Sequence, residues 1–374
     1  MARTSNTPLI SCLSIVPDPR KDINKRHLLI DIIVIAVCAA VSGAEGWNEV
    51  EEFGLAKSDW LKEFLALPHG IPSHDTFRDV FMRLDATAFA QAFSAWTKEV
   101  HRVLGMNIAI DGKTLRRSGS PMRGQQPLHL VSAWASETGI CLGQVAVADK
   151  SNEIVAIPEI LQMLQLKGCL VTIDAIGTQS DFAKTITDKG ADYIFPIKKN
   201  QPTLHDHVSD FFETALQMDF RDLDVATTQT VEKDHGRVET RTYHLVRDLD
   251  WFEHRAKWAK IAAIAMVTSE RKVRDRVTSE RRLFITSWKG SVHRFAEAVR
   301  GHWGIENGLH WVLDVNFDED HCRKRILNSP ENFALVRKFA LALIKRETSA
   351  KGSFRLRRFK ATIDHNYLQT VIFG

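Results

Sequence analysis

Three carboxylates stand in settings suited to phosphodiester chemistry. Asp111 closes the apolar run Asn107-Ile-Ala-Ile, Asp174 closes Cys169-Leu-Val-Thr-Ile, and Glu306 lies inside His302-Trp-Gly-Ile-Glu-Asn-Gly-Leu-His-Trp311. Two aspartates at strand ends and a glutamate on a later helix can converge on a pair of divalent cations, the arrangement that promotes in-line attack on phosphodiesters. A lone strand-end aspartate has a plainer reading, because short polar side chains stop strands and open turns. The two together weigh more. Adjacent anions repel unless a cation lies between them, and Mg²⁺ or Mn²⁺, hard and oxygen-seeking, is the expected cation.

Glu306 shares a helical stripe with His302 and His310, at four-residue spacing. Gly301, Gly304 and Gly308 fall on the opposite side. Glycine inside a helix costs roughly 1 kcal/mol relative to alanine, so three of them call for close backbone packing, the alternative being a helix that breaks at Gly304 or Gly308. A zinc reading of the two histidines lacks the H-E-x-x-H pattern. They are expected instead to touch phosphates or to tune Glu306. Trp303 and Trp311 read as core aromatics, with stacking on an unpaired base as the alternative. Asp314, Asp318, Glu319 and Asp320 compete with Glu306 as third ligand, Asp314 most directly because it lies two turns further on.

Elements must bring these residues together. The 374 residues suffice for two or three domains, and 44% hydrophobic with 26% charged is ordinary globular composition. Fifty Lys and Arg against 46 Asp and Glu is too mild an excess to establish a nucleic-acid partner. Locally, Lys351-Gly-Ser-Phe-Arg-Leu-Arg-Arg-Phe-Lys360 is basic with interleaved phenylalanines, readable as a nucleic-acid contact or a solvated helix. Five cysteines without metal-type pairing suit a reducing cytoplasm, and the polar, charged start predicts no secretory signal. The apolar stretch 28–41, interrupted by Asp31, is too short to span a bilayer and reads as a buried helix.

Residues 1–105 read as a helical domain. Pro72 and Ser73, followed by Asp75 and Thr76, signal a helix start. His74, Thr76 and Arg78 then open either a helix-turn-helix recognition helix or one helix of a plain bundle. From 106 to 200 the pattern predicts strands at 107–110, 128–135 and 141–148, a helix at 154–166, a strand at 168–173, a helix at 182–189 and a strand at 192–197. That order is the α/β, ribonuclease-H-like mixed sheet, its first three strands antiparallel and its last two joined by helical crossovers. Residues 201–290 read as a mostly β insertion: a helix near 204–218, then strands at 237–246, 261–268 and 282–288. Residues 291–374 return the catalytic helix and a helical C-terminal part of the core.

The motifs also resemble a known family. Ile110-Asp-Gly-Lys-Thr-Leu-Arg116, Lys150-Ser-Asn-Glu-Ile-Val-Ala-Ile-Pro-Glu159, Ile173-Asp-Ala-Ile-Gly177 and Arg300 through Asp314 are similar to the H-repeat-associated insertion-sequence transposases. Ser42-Gly-Ala-Glu-Gly-Trp47 and Ile71-Pro-Ser-His-Asp75 match the same pattern. The resemblance implies a DDE transposase with Asp111, Asp174 and Glu306 at the catalytic, metal-holding positions. It also implies DNA partners (terminal inverted repeats and target), a homodimer on DNA, and no membrane. The wider group carries Tyr-Arg-Glu-Lys around the glutamate. Here Val299, His302 and Leu313 stand at the other three positions, so that signature's terminus-gripping roles do not carry over, and His302, Asn307 and His310 are the candidates to replace them. Lys113, Arg116, Arg117, Lys198 and Lys199 follow the two core strands and are candidate phosphate contacts, ordinary loop charge being the alternative. A decayed or repurposed DNA-binding remnant and a metal-dependent nuclease on the same core remain the competing functions.

Overall fold

The computed structural model describes residues 7–101, 105–147, 153–234, 236–274 and 276–374. The chain opens with α1 (Pro8–Leu13), α2 (Leu29–Val41), α3 (Trp47–Ala56), α4 (Ser58–Leu61), α5 (His74–Arg83) and α6 (Ala86–Val100). Then come β1 (Asn107–Thr114), β2 (His129–Ala135), β3 (Ile140–Val147), α7 (Glu153–Met163), β4 (Leu170–Ile173), α8 (Ser180–Asp188) and β5 (Asp192–Ile197). After α9 (Pro202–Gln217) two hairpins follow, β6 (Val225–Asp234) with β7 (Arg237–Val246) and β8 (Ala263–Val273) with β9 (Arg276–Thr286). The last elements are α10 (Val292–His302), a π turn (Glu306–His310), α11 (Trp311–Phe317), α12 (Ser329–Arg346), α13 (Phe354–Ile363) and α14 (His365–Phe373). Of the expected elements, the helix end at Val103, the strand end at Ala148 and the motif residues Lys150, Ser151 and Asn152 lie outside the described residues.

The strands form one mixed sheet of nine, ordered β3-β2-β1-β4-β5-β9-β8-β7-β6. β1 runs parallel to β4 and β4 to β5, while β1–β2, β2–β3 and β5–β9 are antiparallel. The central strands are buried on both sides, as parallel strands must be when helices cover both faces. Ile108, Ile110, Val171 and Ile173 pack beneath Ala156, Ile157 and Ile160 of α7 and Phe182 of α8. Ala109 and Trp134 face the other way, toward Ile305, Leu309 and the helices of the chain's two ends.

Two expectations change. The first strand does not stop at Ile110: it continues through Asp111, Gly112 and Lys113 to Thr114, paired with β2 after β4 has ended. The segment between β5 and α10 contains an extra strand, β6, whose polar sequence Thr227-Thr-Gln-Thr230 hid it; it is the edge of the sheet, paired with β7 on one side and tied to α10 through the Arg300–Glu232 ion pair. The hairpins prolong the sheet through β9, which pairs with β5. The helices before residue 101 share a single core with α12 and α14: Phe77, Phe89, Phe93 and Trp96 meet Phe339 and Leu343, and α2 is buried along nearly its whole length.

Candidate active site

The strand register puts the two aspartates side by side. Ile110 on β1 is paired with Ile173 on β4, the last matched position. The next residue on each strand is an aspartate, with the strands about 4.8 Å apart. Alternation then sets the face. Asp111 and Asp174 lie two residues beyond Ala109 and Thr172, themselves cross-strand partners on the side covered by α10. Asp174 also caps the short 3₁₀ turn Ala175–Gly177, accepting the Ile176 N–H at 2.8 Å.

Glu306 arrives from above on a helix that widens. α10 passes through a π turn at Glu306–His310 into α11, neither a uniform α-helix nor a break. Such insertions recur at functional sites because they re-aim side chains. The glycines are packed closely, as their cost demanded: a Cβ on Gly308 would lie 2.6 Å from the Trp134 ring, and one on Gly301 3.2 Å from Ser136 Oγ. This contact uses the inner side of the helix. Trp303 and Trp311 are therefore not core aromatics but lie outside, 40% and 57% exposed, with Arg282 over the Trp303 ring.

Asp111 is electrostatically stressed. Burial first, and then the charges of Glu153, Glu306 and Asp174, push its carboxyl up to about 6, against one opposing bond from Gly112 N–H. His310 Nδ1 stands 3.7 Å from Asp111 Oδ2, while His310 Nε2 is buried without a partner among the described residues. His302 Nδ1 shares a hydrogen bond of 2.9 Å with Thr172 Oγ1. Burial holds His302 down to about 4 and His310 to about 3. Both imidazoles are thus neutral near pH 7, so a cationic grip on phosphate is unavailable to them. They stand against neighbouring strands, His310 at Asp111 on β1 and His302 at Thr172 on β4.

Among the described residues no three His, Cys, Asp or Glu side chains close around one point as a ready-made cage would. The donors fit a more open site. Asp174 commits one oxygen to its own turn, Glu306 is exposed, and Asp111 feels the charges of Glu153, Glu306 and Asp174. Magnesium commonly takes one or two carboxylates, keeps several waters and finishes its shell on substrate phosphates.

The other expected residues divide by environment. Lys113 is 12% exposed and belongs to an internal network: it contacts Asp314, donates to Glu319 at 2.8 Å and lies 4.0 Å from Asp320. Burial would lower Lys113, but Glu319 and Asp314 hold it above the ordinary lysine value. Asp314, the rival third ligand, is thereby engaged by a lysine, whereas Glu306 is free of ion pairs among the described residues. Arg116 pairs with Asp320 at 3.2 Å, and Arg117 is exposed, its carbonyl accepting from Arg325 Nε. Lys198 and Lys199 are exposed just beyond β5, and Asn307 is exposed beside Glu306. Far from these acids in sequence, Ser73 caps α5; His74 bonds Glu51, Thr76 lies against the Ser73 hydroxyl, and Arg78 pairs with Asp75 and Asp79. In the basic C-terminal stretch Arg358 turns inward to Glu45 and the Phe317 ring, a structural use of one of its charges.

Sequence reasoning missed a fourth acid. Glu153, 6% exposed at the start of α7, accepts from His129 at 2.7 Å, and His129 in turn meets Thr114 Oγ1 at 2.9 Å. The pair presses on the β1 backbone beside Asp111: a Cβ on Gly112 would lie 2.2 Å from His129 Nε2 and 2.5 Å from Glu153 Oε1. Glu153 lay within the family-like motif Lys150–Glu159, at the head of the apolar run Ile154-Val-Ala-Ile157, but nothing in the sequence tied it to His129.

Sheet centre, widened helix and acids define an α/β protein with a carboxylate-centred site. Comparison with known proteins supplies the family. A family model described as Transposase DDE domain matches residues 106–343, and one described as DDE_Tnp_1-associated matches residues 10–97. "Putative transposase YncI" of Escherichia coli O157:H7 is 37% identical over 370 residues, covering 97% of this chain and 94% of that one. "H repeat-associated putative transposase YhhI" of Escherichia coli K12 is 35% identical over 373 residues, covering 98% of each. The chain belongs to the DDE transposases, in their H-repeat-associated group. Among solved structures, a piggyBac transposase synaptic complex with hairpin DNA aligns at a TM-score of 0.43 and 11% identity over 98% of this chain and 78% of that one, a likeness too low to argue from. No helix among the described residues is long and apolar enough to cross a membrane.

Proposed function

We propose that this transposase cuts DNA at the ends of its element and joins them to target DNA by carboxylate-held, two-metal chemistry, with Asp111, Asp174 and Glu306 as the acids. The observation that carries the reading is the register: Ile110 opposite Ile173 makes the two aspartates neighbours, and Glu306 is near enough for its charge to raise Asp111. The strand order β3-β2-β1-β4-β5, three antiparallel then two parallel, supports a ribonuclease-H-like core for residues 106–200.

Asp111 and Asp174 would hold Mg²⁺ or Mn²⁺ at the strand ends, with Glu306 as the third carboxylate from the helix. Bound there, a metal pair supplies a water or 3′-hydroxyl of lowered pKa and stabilises the leaving oxygen. The chain's own part is positioning. The sheet fixes two acids on one face, the glycine-faced helix sets the third, and neutral His302 and His310 add no charge that would compete with a cation. Lys198, Lys199, Arg116, Arg117 and Asn307 border the site as candidate phosphate contacts. Helix α5, with Ser73, His74, Thr76 and Arg78 at its exposed start, is the candidate reader of terminal inverted repeats, and pairing two ends calls for a homodimer on DNA.

Labelled DNA carrying the element's own termini, incubated with protein and Mg²⁺, tests this. Nicking followed by joining is expected, with both steps lost in Asp111→Ala, Asp174→Ala and Glu306→Ala while end binding persists. Nicking without joining would make the protein a nuclease, and binding alone a repurposed remnant. Normal cutting by Glu306→Ala together with none by Asp314→Ala would reassign the third acid.

A further inference from the structure

The loop after α11 carries three consecutive cations, Arg323, Lys324 and Arg325, that the cleavage chemistry leaves unused. With Arg78 of α5 they line a cleft of about 390 Å³ whose lining includes four cations and no carboxylate. Its apolar wall is Trp47, Met82, Met122 and Ile326, and Met122 is 98% exposed. A neighbouring hollow shares Trp47 and Arg78 and reaches His74, with Glu49 its one acid.

The cations are held but not all neutralised. Arg323 is exposed and has no hydrogen bond or ion pair among the described residues. Arg325 uses Nε on the Arg117 carbonyl at 2.8 Å, which leaves its other nitrogens available. Lys324 donates to the Glu45 carbonyl at 2.8 Å and lies 3.6 Å over the Phe333 ring. The wall formed by Ser120 and Met122 belongs to the connection that follows β1, the strand carrying Asp111, beyond Thr114. The cleft therefore joins the loop that follows β1 to α5 at Arg78 and Met82.

We infer that this cleft seats the sugar–phosphate backbone of DNA, with Arg323 and Arg325 on phosphates and Met122 and Ile326 against sugars, while Arg78 at the far wall stays paired with Asp75 and Asp79. Guanidinium forks match phosphate oxygens in pairs, and the cleft lining itself holds no carboxylate, Asp75 and Asp79 being the acids on Arg78 at one wall. The proposal rests on the transposase reading for the origin of that DNA, but its test does not use cleavage.

The full chain is titrated with a labelled duplex of arbitrary sequence over a range of salt. The variants are Arg323→Ala, Arg323→Glu and Met122→Glu, at exposed positions that leave the core untouched; Lys184→Ala, on the helix covering the other face of the sheet, is the control. Arg323→Ala should weaken binding several-fold and reduce the slope of log affinity against log salt by about 0.9, the loss of one phosphate contact. Arg323→Glu and Met122→Glu should weaken it further, and Lys184→Ala should match the parent. Unchanged affinity and slope in Arg323→Glu and Met122→Glu overturn the proposal, as does a parent protein that binds no duplex. Displacement of the duplex by polyglutamate at matched ionic strength, lost in the same variants, would assign the cleft to an acidic polypeptide and also overturn it. If element ends are not cut while these variants still weaken duplex binding, the cleft stands and the transposition chemistry falls; cutting with duplex binding unaffected gives the reverse.

Discussion

At the scale of single residues, Asp111 is held in a state that costs stability until a cation or a proton relieves it. Its folded pKa, about 6, lies above the ordinary aspartate value of 3.8. A carboxyl so raised favours the fold below its unfolded pKa, and that advantage is lost as pH rises through 6. In metal-free protein, Asp111→Asn should therefore be more stable than the parent at pH 7.5, by roughly 3 kcal/mol, and the gap should close as pH falls toward 4. Added Mg²⁺ should raise the parent's melting temperature and leave the variant's unchanged; calorimetry across pH with and without metal reads both. Lys113 gives a second test. Its ammonium is enclosed by Asp314 and Glu319, so Lys113→Met strands buried carboxylates and should cost about 3 kcal/mol or more, whereas Met substituted in an Asp314→Asn background should cost less. A double-mutant cycle in denaturant would show that coupling, and additivity would deny it.

At the scale of elements, strand and helix approach so closely that two glycines become obligatory. A methyl on Gly308 has the Trp134 ring in its way, and one on Gly112 meets the His129–Glu153 pair. Gly308→Ala should lift the π turn from the sheet and carry Glu306 out of line with the aspartates. The expected outcome is a loss of cutting well beyond the overpacking cost of about 1–3 kcal/mol, measured as cleavage rate and melting temperature on the same preparation. Trp134→Phe in the Gly308→Ala background should recover part of the rate by clearing space. Rates that track stability alone would mean the helix position is irrelevant to the chemistry.

At the scale of the whole molecule, the first hundred residues and the last fifty are one packing unit. Phe89, Phe93 and Trp96 of α6 close on Phe339 of α12, and Asn332 donates to the carbonyls of Phe81 and Leu84. The start of the chain should therefore be unable to complete its core alone. Residues 1–105 expressed as a fragment should bind a hydrophobic dye and melt without cooperativity, and adding residues 318–374 in trans should restore a cooperative transition. A fragment that melts sharply by itself would show an independent domain. The coupling also gives α5 a packed path to the site, because α5 packs on α12 and α12 reaches the sheet through Lys338, which donates to Ser132, the cross-strand partner of Asp111.

Local order was legible from the chain itself. Apolar runs ending in Asp111 and Asp174 marked the central strands, Ser73 marked the start of α5, and the glycines on one side of Glu306 marked a close helix contact, because each is a consequence of neighbours in sequence. What crosses between distant segments was decided only by folding. The extension of β1 past Asp111 depends on β2 continuing after β4 stops. The π turn and the outward Trp303 and Trp311 depend on Trp134, and the capture of Lys113 by Asp314 and Glu319 depends on where α11 ends. The Glu153–His129 pair and the Arg323 cleft likewise unite residues with no shared periodicity. Periodicity reports which side of its own element a residue occupies; which side chain it meets across a gap is set by packing and charge between elements, and the tertiary structure alone supplies that.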